Sequence, residues 1–357
     1  MTLSDYLPHP PQRIAVLRAI KLGDLLCAVP AFRALRRAYP DAHIALISLP
    51  WAAEFVTRYS DYFNEFILFP GWPGLPEQPL DVAQSVTFLQ EMQARQWDLM
   101  FQMQGNGTLV NAMLTLCGAK AVVGFHPAHY PERFFPNPEL FAPYPENEHE
   151  VKRWVRLMEF AGISPQGYEL EFPITEQDRA GAQQILRAVG IETATDHAQN
   201  RYAILHAGGI SGRRWPAANF ANVGDALAEQ GFTIVLTGTA TEQSLIETVQ
   251  ATMHHPAVSI AGKTDLGTLA AVLEGASVLV SNDTGVSHVA AACHAPSVVI
   301  FTSAKPSEWA PLDTARHRVI LEPEATTERV MAEVTSLLND QYIRITSPVS
   351  TPSTLLR

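Results

Sequence analysis

Short apolar runs that alternate with amphipathic stretches constrain this chain more than any other feature of its sequence. Residues 13–17 predict a buried strand, and residues 43–49 predict a second one. Between them, residues 24–38 predict a helix. The apolar positions at helical spacing are Leu25, Leu26, Val29, Phe32 and Leu35. A strand, a helix and a strand in this order form a βαβ unit, which implies a parallel sheet.

The alternation continues to about residue 163 and is then interrupted. Residues 98–103 predict a strand that follows a helix at 84–96. Residues 127–147 are rich in proline, aromatic and acidic residues and predict irregular surface structure, and 149–161 predict a helix. Residues 164–175 lose the helical pattern and carry two prolines, so they are the candidate linker.

The second half repeats the alternation. Strands are predicted at 202–206, 232–237, 257–260, 277–281 and 297–301. Helices are predicted at 176–189, 216–230, 241–252, 266–274, 285–293 and 326–338. The prediction is therefore an α/β fold of two Rossmann-like, doubly wound domains that face each other across a cleft. Ligands in such sheets bind at the carboxyl ends of the strands.

The predicted domain bounds are 1–170 and 171–345. The helix at 326–338 is expected to return onto the first domain. Residues 346–357 are polar and are expected to form a disordered tail.

Composition narrows the class of protein. The 357 residues are enough for about two domains. The net charge is -11, which argues against a nucleic-acid binder because such proteins need a basic face. Three scattered cysteines fit a reducing compartment. The N-terminus has no signal-peptide pattern and no stretch has the length of a membrane span, so a cytoplasmic protein is expected.

Basic residues are concentrated in residues 11–40, against the acidic background. This segment contains six Lys or Arg residues and one acid, Asp24. The basic residues are Arg13, Arg18, Lys21, Arg33, Arg36 and Arg37. They form either a solvated helix face or a surface for an anionic acceptor or for anionic lipid headgroups at the inner face of a membrane.

The segment 278–292 predicts a phosphate site. A strand ends at Ser281, a turn follows, and a helix begins near Gly285. The first turn of a helix presents unpaired N–H groups and the positive end of the helix dipole. Thr284 and Ser287 add hydroxyl donors, and His288 lies one turn further on. Asp283 alone is explained equally well as a helix cap.

The segment 206–216 predicts a second anion-binding loop. It follows a strand, has three glycines within five positions, and continues into Arg213 and Arg214. Arginine binds phosphate bidentately and is always charged. At least one of the two is expected to contact phosphate, although both could be solvated. Trp215 is expected in the core.

Two acidic residues have a functional and a structural explanation each. Glu242 follows the strand at 232–237 and could accept hydrogen bonds from ribose hydroxyls, or it could only stabilise a helix N-terminus. Asp24 lies in or just after the loop that follows the first strand. It could act as a general base on a substrate hydroxyl, or it could cap a helix.

Several common motifs are absent from the sequence. There is no Asp-x-Asp pair, which binds the metal in another large class of nucleotide-sugar transferases, and no Walker-A motif. The glycines near Gly105 form only an incomplete dinucleotide fingerprint. No metal site is predicted.

These segments, in this order, resemble glycosyltransferase family 9, the ADP-heptose:lipopolysaccharide heptosyltransferases, from about residue 13 to about 340. The stretches that carry the resemblance are Arg13-Ile-Ala-Val-Leu-Arg, Leu22-Gly23-Asp24, Gln104-Gly105, Arg213-Arg-Trp-Pro216, Gly238 to Glu242, Gly262-Lys-Thr264, Ser281-Asn-Asp-Thr-Gly-Val-Ser-His288 and Trp309-Ala-Pro311. Several spaced motifs in register are far more specific than any one of them.

The resemblance implies an enzyme with two Rossmann-type domains and no cofactor besides its nucleotide-sugar co-substrate, most simply ADP-heptose. It implies that the C-terminal half binds this donor and that the N-terminal half binds a glycan, lipid-linked or small-molecule acceptor. Asp24 would then be the general base.

The residues assigned to the site on this basis fall into two groups. Donor-binding residues are His206, Gly208, Gly209, Arg213, Arg214, Glu242, Gly262, Lys263, Thr264, Asp283, Thr284, Gly285 and His288. Acceptor-binding residues are Arg18, Lys21, Gln104 and Gly105. The chain departs from the family pattern at Arg213, where the family has lysine, at Thr302, where it has glycine, and at His206-Ala-Gly-Gly, where Pro-Gly is usual.

Three other functions stay open from the residues. A non-hydrolysing nucleotide-sugar epimerase shares the two-domain architecture. A non-catalytic sugar-nucleotide sensor would bind the donor without transfer. A dinucleotide-dependent oxidoreductase is disfavoured by the incomplete fingerprint.

Overall fold

The chain forms two compact units. The computed structural model describes residues 3–129, 137–192 and 201–346. The first unit comprises Met1–Pro173 with Ser307–Trp309, and the second comprises Ile174–Pro306 with Ala310–Arg357. The predicted tail lies outside the described residues from position 347 onward.

The described residues of the first unit form a sheet of six parallel strands in the order β3-β2-β1-β4-β5-β6. The strands are β1 (Arg13–Leu17), β2 (His43–Ser48), β3 (Glu65–Leu68), β4 (Leu99–Gln102), β5 (Ala121–His126) and β6 (Phe141–Pro143). The helices are α1 (Leu3–Tyr6), α2 (Leu22–Leu26), α3 (Val29–Ala38), α4 (Ala52–Arg58), α5 (Val82–Ala94), α6 (Asn111–Leu116) and α7 (Glu150–Phe160).

The described part of the second unit repeats this plan, with six parallel strands in the order β12-β11-β10-β7-β8-β9. The strands are β7 (Tyr202–His206), β8 (Thr233–Leu236), β9 (Ala257–Ser259), β10 (Val278–Asn282), β11 (Ser297–Phe301) and β12 (His317–Leu321). The helices are α8 (Glu176–Ala188), α9 (Ala217–Glu229), α10 (Gln243–Thr252), α11 (Leu266–Glu274), α12 (Gly285–Ala292), α13 (Pro306–Trp309) and α14 (Thr327–Thr346).

Burial explains why these apolar runs become parallel strands. Every residue of β4, β7, β10 and β11 is buried. A strand covered on both faces must be apolar along its whole length, which is the pattern of a parallel sheet with helices on both sides. The predicted α/β fold with two doubly wound domains is therefore confirmed.

The strand order reverses once in each sheet. In the first unit, β2 and β3 lie on one side of β1 and β4 lies on the other. In the second unit, β8 and β9 lie on one side of β7 and β10 lies on the other. The loops after β1 and β4, and after β7 and β10, diverge at these points. A doubly wound sheet binds ligands in the crevice that this divergence leaves.

Two local predictions were wrong. The predicted helix 24–38 is two helices, α2 and α3, because Pro30 lacks an N–H group and cannot continue the helix that precedes it. Residues 141–143, which were predicted to be irregular, form the edge strand β6 beside β5. The strand is only three residues long, so it has no readable alternation.

The last helix packs in the core of the second unit. Val330, Val334 and Leu337 of α14 are fully buried in the core formed by β7, β8, β10 and β11 with α9. The expectation that this helix returns to the first domain stays a prediction. None of the described helices combines the length and apolarity that a membrane span needs.

Removing the Leu337 side chain should destabilise the protein. Leu337→Ala leaves a cavity in a closed core, and we expect a loss of about 2–5 kcal/mol in the free energy of unfolding. Urea denaturation followed by circular dichroism measures it. Thr335→Ala, at an exposed position of the same helix, should change the free energy by less than about 0.5 kcal/mol. Equal effects of the two substitutions would contradict the packing of α14.

Candidate functional site

The glycine-rich loop after β7 is fastened to the end of β10 by one side chain. The amide nitrogen of Asn282 donates to the carbonyl oxygens of Ala207 and Gly208, each at 3.0 Å. Its amide oxygen accepts from the backbone N–H of Trp215 at 2.9 Å. Asn282 is fully buried and was not among the predicted site residues. It connects the two loops that diverge at the reversal point of this sheet.

A carboxylate fixes the same loop from the other side. Glu242 Oε1 accepts from the N–H of Gly209 at 2.7 Å, and Oε2 accepts from the N–H and hydroxyl of Thr239, both at 2.9 Å. A Cβ at Gly208 would lie 2.5 Å from Glu242 Oε1, so this approach requires glycine. Burial by itself would raise the pKa of Glu242, but the N–H donors of Thr239 and Gly209 outweigh it and lower the pKa. Glu242 is therefore ionised at neutral pH.

His206 lies at the end of β7 beside this carboxylate and is buried. Its Nδ1 is 2.9 Å from the hydroxyl of Thr237. Burial, opposed by the charge of Glu242 and aided by that of Arg214, lowers the pKa of His206 to about 4. The imidazole is neutral at physiological pH and can exchange hydrogen bonds without adding charge.

The two adjacent arginines differ in their contacts. Arg214 donates from Nε to the Gly209 carbonyl at 2.7 Å and lies 3.5 Å from Glu242 Oε1. Arg213 is exposed, and no contact of its guanidinium occurs within the described part of the chain; its carbonyl accepts from the Thr302 hydroxyl at 2.9 Å. Arg214 therefore supports the loop, whereas Arg213 presents a cation beside it.

The N-terminus of α12 lies against the glycine-rich loop. Thr284 occupies the cap position, and its side chain makes no cap bond. A Cβ at Gly209 would lie 2.6 Å from the methyl group of Thr284. Thr284 Oγ1 is enclosed and has no hydrogen-bond partner among the described residues. The first turn of α12, with Gly285 at its start, thus presents backbone N–H groups and a hydroxyl to the loop.

The remaining predicted residues of the second unit lie close by in sequence or space. His288 is buried one turn into α12. A Cβ at Gly262 would lie 3.1 Å from Ala240 Cα, so the turn after β9 contacts the turn after β8. Lys263 is exposed and donates to the Ser259 carbonyl at 3.1 Å, and Thr264 is half-buried next to it. These residues line the carboxyl ends of β7 to β10.

In the first unit, Arg18 supports the loop that follows β1. Its side chain is fully buried and donates from Nη2 to the Asp24 carbonyl at 2.5 Å and from Nη1 to the Met103 carbonyl at 2.7 Å. Nη2 also lies 2.9 Å from Glu150 Oε1. These contacts give Arg18 a positioning role for the loop, and its assignment to acceptor binding stays a prediction.

The carboxylate of Glu150 holds this arrangement together. It receives Arg18 and the indole Nε1 of Trp154 on Oε1, the latter at 2.7 Å, and Arg153 on Oε2. The guanidinium of Arg18 lies 4.3 Å from the centre of the Trp154 ring. All four side chains are buried, and the carboxylate has enough partners to compensate for lost hydration. No sequence motif indicated Glu150.

Asp24 lies on α2, and its backbone carbonyl accepts from the Arg18 guanidinium. Burial raises the pKa of its carboxyl group above the usual range of aspartate, with Glu77 adding to the increase, while Arg18 and Lys21 oppose it. Lys21 is exposed at the cap position of α2, so Asp24 itself is not the helix cap. A carboxylate with a raised pKa is a stronger base, which suits proton abstraction.

Gln104 braces the same loop from β4. Its Oε1 accepts from the Ala19 N–H at 2.9 Å, and its Nε2 donates to the Ala19 carbonyl at 3.1 Å. Both polar ends of this buried side chain are used, so Gln104 positions the loop. Gly105 is exposed with a positive φ of 56°, and a Cβ there would meet no atom within 4 Å. Gly105 is thus accessible, and its role in acceptor binding stays a prediction.

The basic residues of 11–40 do not form a continuous cationic surface. Arg13 stacks at 5.3 Å on the Trp97 ring, and Arg33 lies 3.1 Å from Glu171. Arg36 donates to several backbone carbonyls, including that of Ala42 at 2.7 Å. With Arg18 buried, four of the six are committed to contacts within the first unit, which removes this cluster as an argument for an anionic acceptor or membrane surface. Across the described ranges, no group of three His, Cys, Asp or Glu side chains could hold a metal ion.

Comparison with known proteins identifies the family. The sequence profile of Glycosyltransferase family 9 (heptosyltransferase) matches residues 86–338, more than half of the chain. The chain belongs to glycosyltransferase family 9. It is therefore a glycosyltransferase, and the resemblance noted in its motifs is confirmed.

Named relatives and a solved structure agree with the family. Lipopolysaccharide heptosyltransferase 1 of Escherichia coli O18:K1:H7 is 26% identical over 316 residues, or 82% of this chain and 87% of that protein. Lipooligosaccharide heptosyltransferase 2 of Haemophilus influenzae is 28% identical over 104 residues, so the match spans only 30% of that protein and 28% of this chain. The structure of E. coli ADP-heptose lps heptosyltransferase II superposes with a TM-score of 0.72 at 19% identity and covers 92% of this chain and 99% of that one.

Loss of the Asn282 amide should weaken the second unit. Asn282→Ala removes all three hydrogen bonds of the side chain and leaves the Trp215 N–H and the two loop carbonyls without this partner. We therefore expect a loss of about 1–3 kcal/mol in the free energy of unfolding. Chemical denaturation measures it. Asn339→Ala, at an exposed position, is the control and should have almost no effect. A stable Asn282→Ala variant would contradict the fastening of the loop.

Proposed function

We propose that this glycosyltransferase moves a heptose from ADP-heptose to an acceptor hydroxyl with inversion at the anomeric carbon, and that Asp24 is the general base. The observation that carries the proposal is the chemistry at the two reversal points. One has Asp24, whose carboxyl pKa is raised and whose backbone carbonyl accepts from the buried Arg18, and the other has the exposed Arg213 on a loop that contacts the N-terminus of α12. The first can accept the proton of the attacking hydroxyl, and the second can bind the departing diphosphate.

The donor assignment has two supports. The structural neighbour from E. coli is named ADP-heptose lps heptosyltransferase II, and the second unit has the exposed Arg213 and the first turn of α12 at its reversal point. We propose that Arg213 and the first turn of α12, with the Thr284 hydroxyl, bind the diphosphate. We further propose that Glu242 and His206 bind the nucleoside through hydrogen-bond exchange with its hydroxyls.

We propose the following reaction, with Asp24 as the base and Arg213 and α12 at the diphosphate. The acceptor oxygen attacks the anomeric carbon while its proton moves to a carboxylate oxygen of Asp24. The bond between that carbon and the diphosphate oxygen breaks, and the electron pair leaves with ADP. Arg213 and the dipole of α12 stabilise the charge that develops on the diphosphate. The names of the relatives support a lipopolysaccharide glycan as the acceptor class, and any membrane contact would come with such an acceptor.

Asp24→Asn should abolish transfer and keep donor binding. The amide cannot accept the proton, so we expect kcat to fall by at least about 100-fold while the Kd of ADP stays within about twofold. Enzymatic assay and calorimetric titration measure the two quantities. The exposed Asp61→Asn is the control. Equal loss of binding and transfer would contradict the general-base role.

The same substitution should also stabilise the fold at neutral pH. The folded pKa of Asp24 is raised, so its ionised form is disfavoured in the folded protein, and stability is lost as the pH rises through that pKa. Asp24→Asn should therefore increase Tm at pH 7 to 8, and the increase should shrink as the pH falls and wild-type Asp24 becomes protonated. A pH series of thermal unfolding measures it. A decrease in Tm at pH 8 would contradict the raised pKa.

Arg213→Ala should weaken donor binding more than it lowers stability. Loss of a guanidinium from a diphosphate site should raise the Kd of ADP by about tenfold or more, and the difference should diminish at high salt. Calorimetric titration at two ionic strengths measures it. Arg187→Ala, an exposed arginine of α8, is the matched control. Unchanged affinity would refute the contact.

A further inference from the structure

The loop between β3 and α5, residues 69–81, crosses the carboxyl ends of neighbouring strands. It begins where Phe69 donates to the Ser48 carbonyl of β2 at 2.8 Å. Further along, a Cβ at Gly74 would lie 3.1 Å from a methyl group of Leu109, in the loop that follows β4. Because β2 and β1 separate β3 from β4, a loop that reaches from one to the other passes over the end of β1. Asp24 follows that end.

Glu77, on this loop, is a second carboxylate in addition to Asp24 on α2. Its Oε2 is enclosed and has no hydrogen-bond partner among the described residues. An enclosed carboxylate oxygen without a donor loses its hydration without compensation, which is costly unless a ligand supplies the donor. The charge of Glu77 also acts on Asp24 and raises its pKa, so the two carboxyl groups are near each other.

The loops around these two carboxylates contain few cationic residues. The sequence has no Lys or Arg between Arg58 and Arg95, or between Arg95 and Lys120. The loops after β3 and β4 lie within these stretches, and the loop after β2, residues 49–51, has no Lys or Arg either. In the described loop after β1, Arg18 is buried and paired with Glu150, which leaves Lys21 as the exposed cation. In the described loops after β1 to β4 and in α2, the acids Asp24, Glu77 and Asp81 therefore face Lys21 as the cation that is not buried.

We propose that Glu77 accepts a hydrogen bond from an acceptor hydroxyl next to the reacting one, and that this chain therefore glycosylates an uncharged polyhydroxyl sugar in preference to a phosphorylated or carboxylated one. The inference rests on the proposed function, in which the first unit binds the acceptor. A hydroxyl satisfies the unpaired oxygen of Glu77, whereas an anionic substituent would be repelled by both carboxylates.

The test compares two matched acceptors with ADP-heptose as the donor. Methyl glycosides of a neutral heptose and of the same heptose carrying a phosphate are the probes, and kcat/KM is measured for each. We expect the neutral glycoside to be preferred by about tenfold or more. Glu77→Gln should lower kcat/KM for the neutral glycoside by about tenfold, because an amide is a weaker acceptor than a carboxylate, and should reduce the preference. Glu77→Lys should reverse the preference.

The control variant is Glu91→Gln, which removes the same charge from an exposed position of α5. It should leave the preference and the Kd of ADP unchanged, and all variants should keep the wild-type Tm within a few degrees. A preference for the phosphorylated glycoside, an unchanged preference in both Glu77 variants, or transfer to neither glycoside with ADP-heptose still bound would overturn the inference. Failure to bind ADP-heptose would instead contradict the proposed function.

Discussion

The reversal of strand order beside β1 and β7 is the constraint on which the rest of the molecule depends. Parallel strands bring all their carboxyl ends to one edge, and loops that leave in opposite directions from adjacent strands open a gap there. Side chains from distant parts of the sequence meet in that gap. Asn282 fastens the loops after β7 and β10, and Gln104 fastens the loops after β1 and β4, so the same solution occurs in both units.

Buried charge determines which polar residues stay available for chemistry. Arg18 and Arg153 both pair with the carboxylate of Glu150. Arg18 also donates to the backbone carbonyl of Asp24 and so holds the segment that carries Asp24. Arg214 is likewise engaged with the Gly209 carbonyl, whereas its neighbour Arg213 is not. Removing one member of a buried ion pair leaves an uncompensated charge, so these positioning residues matter as much to the fold as to the site. Charge counts along the sequence cannot separate the two roles.

Local patterns were sufficient for much of the architecture. Strands such as β1 and β10 were recognised because burial on both faces leaves a continuous apolar run, Ile14 to Leu17 in β1 and Val278 to Val280 in β10. The three-residue strand β6 was missed because it is too short to carry a pattern, and the break between α2 and α3 was missed because the apolar spacing continues across it. The motifs at 206–216 and 278–292 indicated the second-unit site because glycine, arginine and a helix start are local signals. Glu150 and Glu77 carried no such signal, and Asn282, although it lies within the second motif, was not predicted to hold the loop.

The sequence by itself determined the two βα-alternating halves, their parallel sheets and the family, because periodicity and spaced motifs are properties of neighbouring residues. Only the tertiary structure decided the partner of each side chain. It buried Arg18 with a hydrogen bond to the Asp24 carbonyl, and it paired Arg36 with backbone carbonyls. It also placed α14 in the core of the second unit and brought the loop of Glu77 across the end of β1. The physical reason is that burial and hydrogen bonding depend on contacts between residues far apart in the chain, which no local pattern specifies.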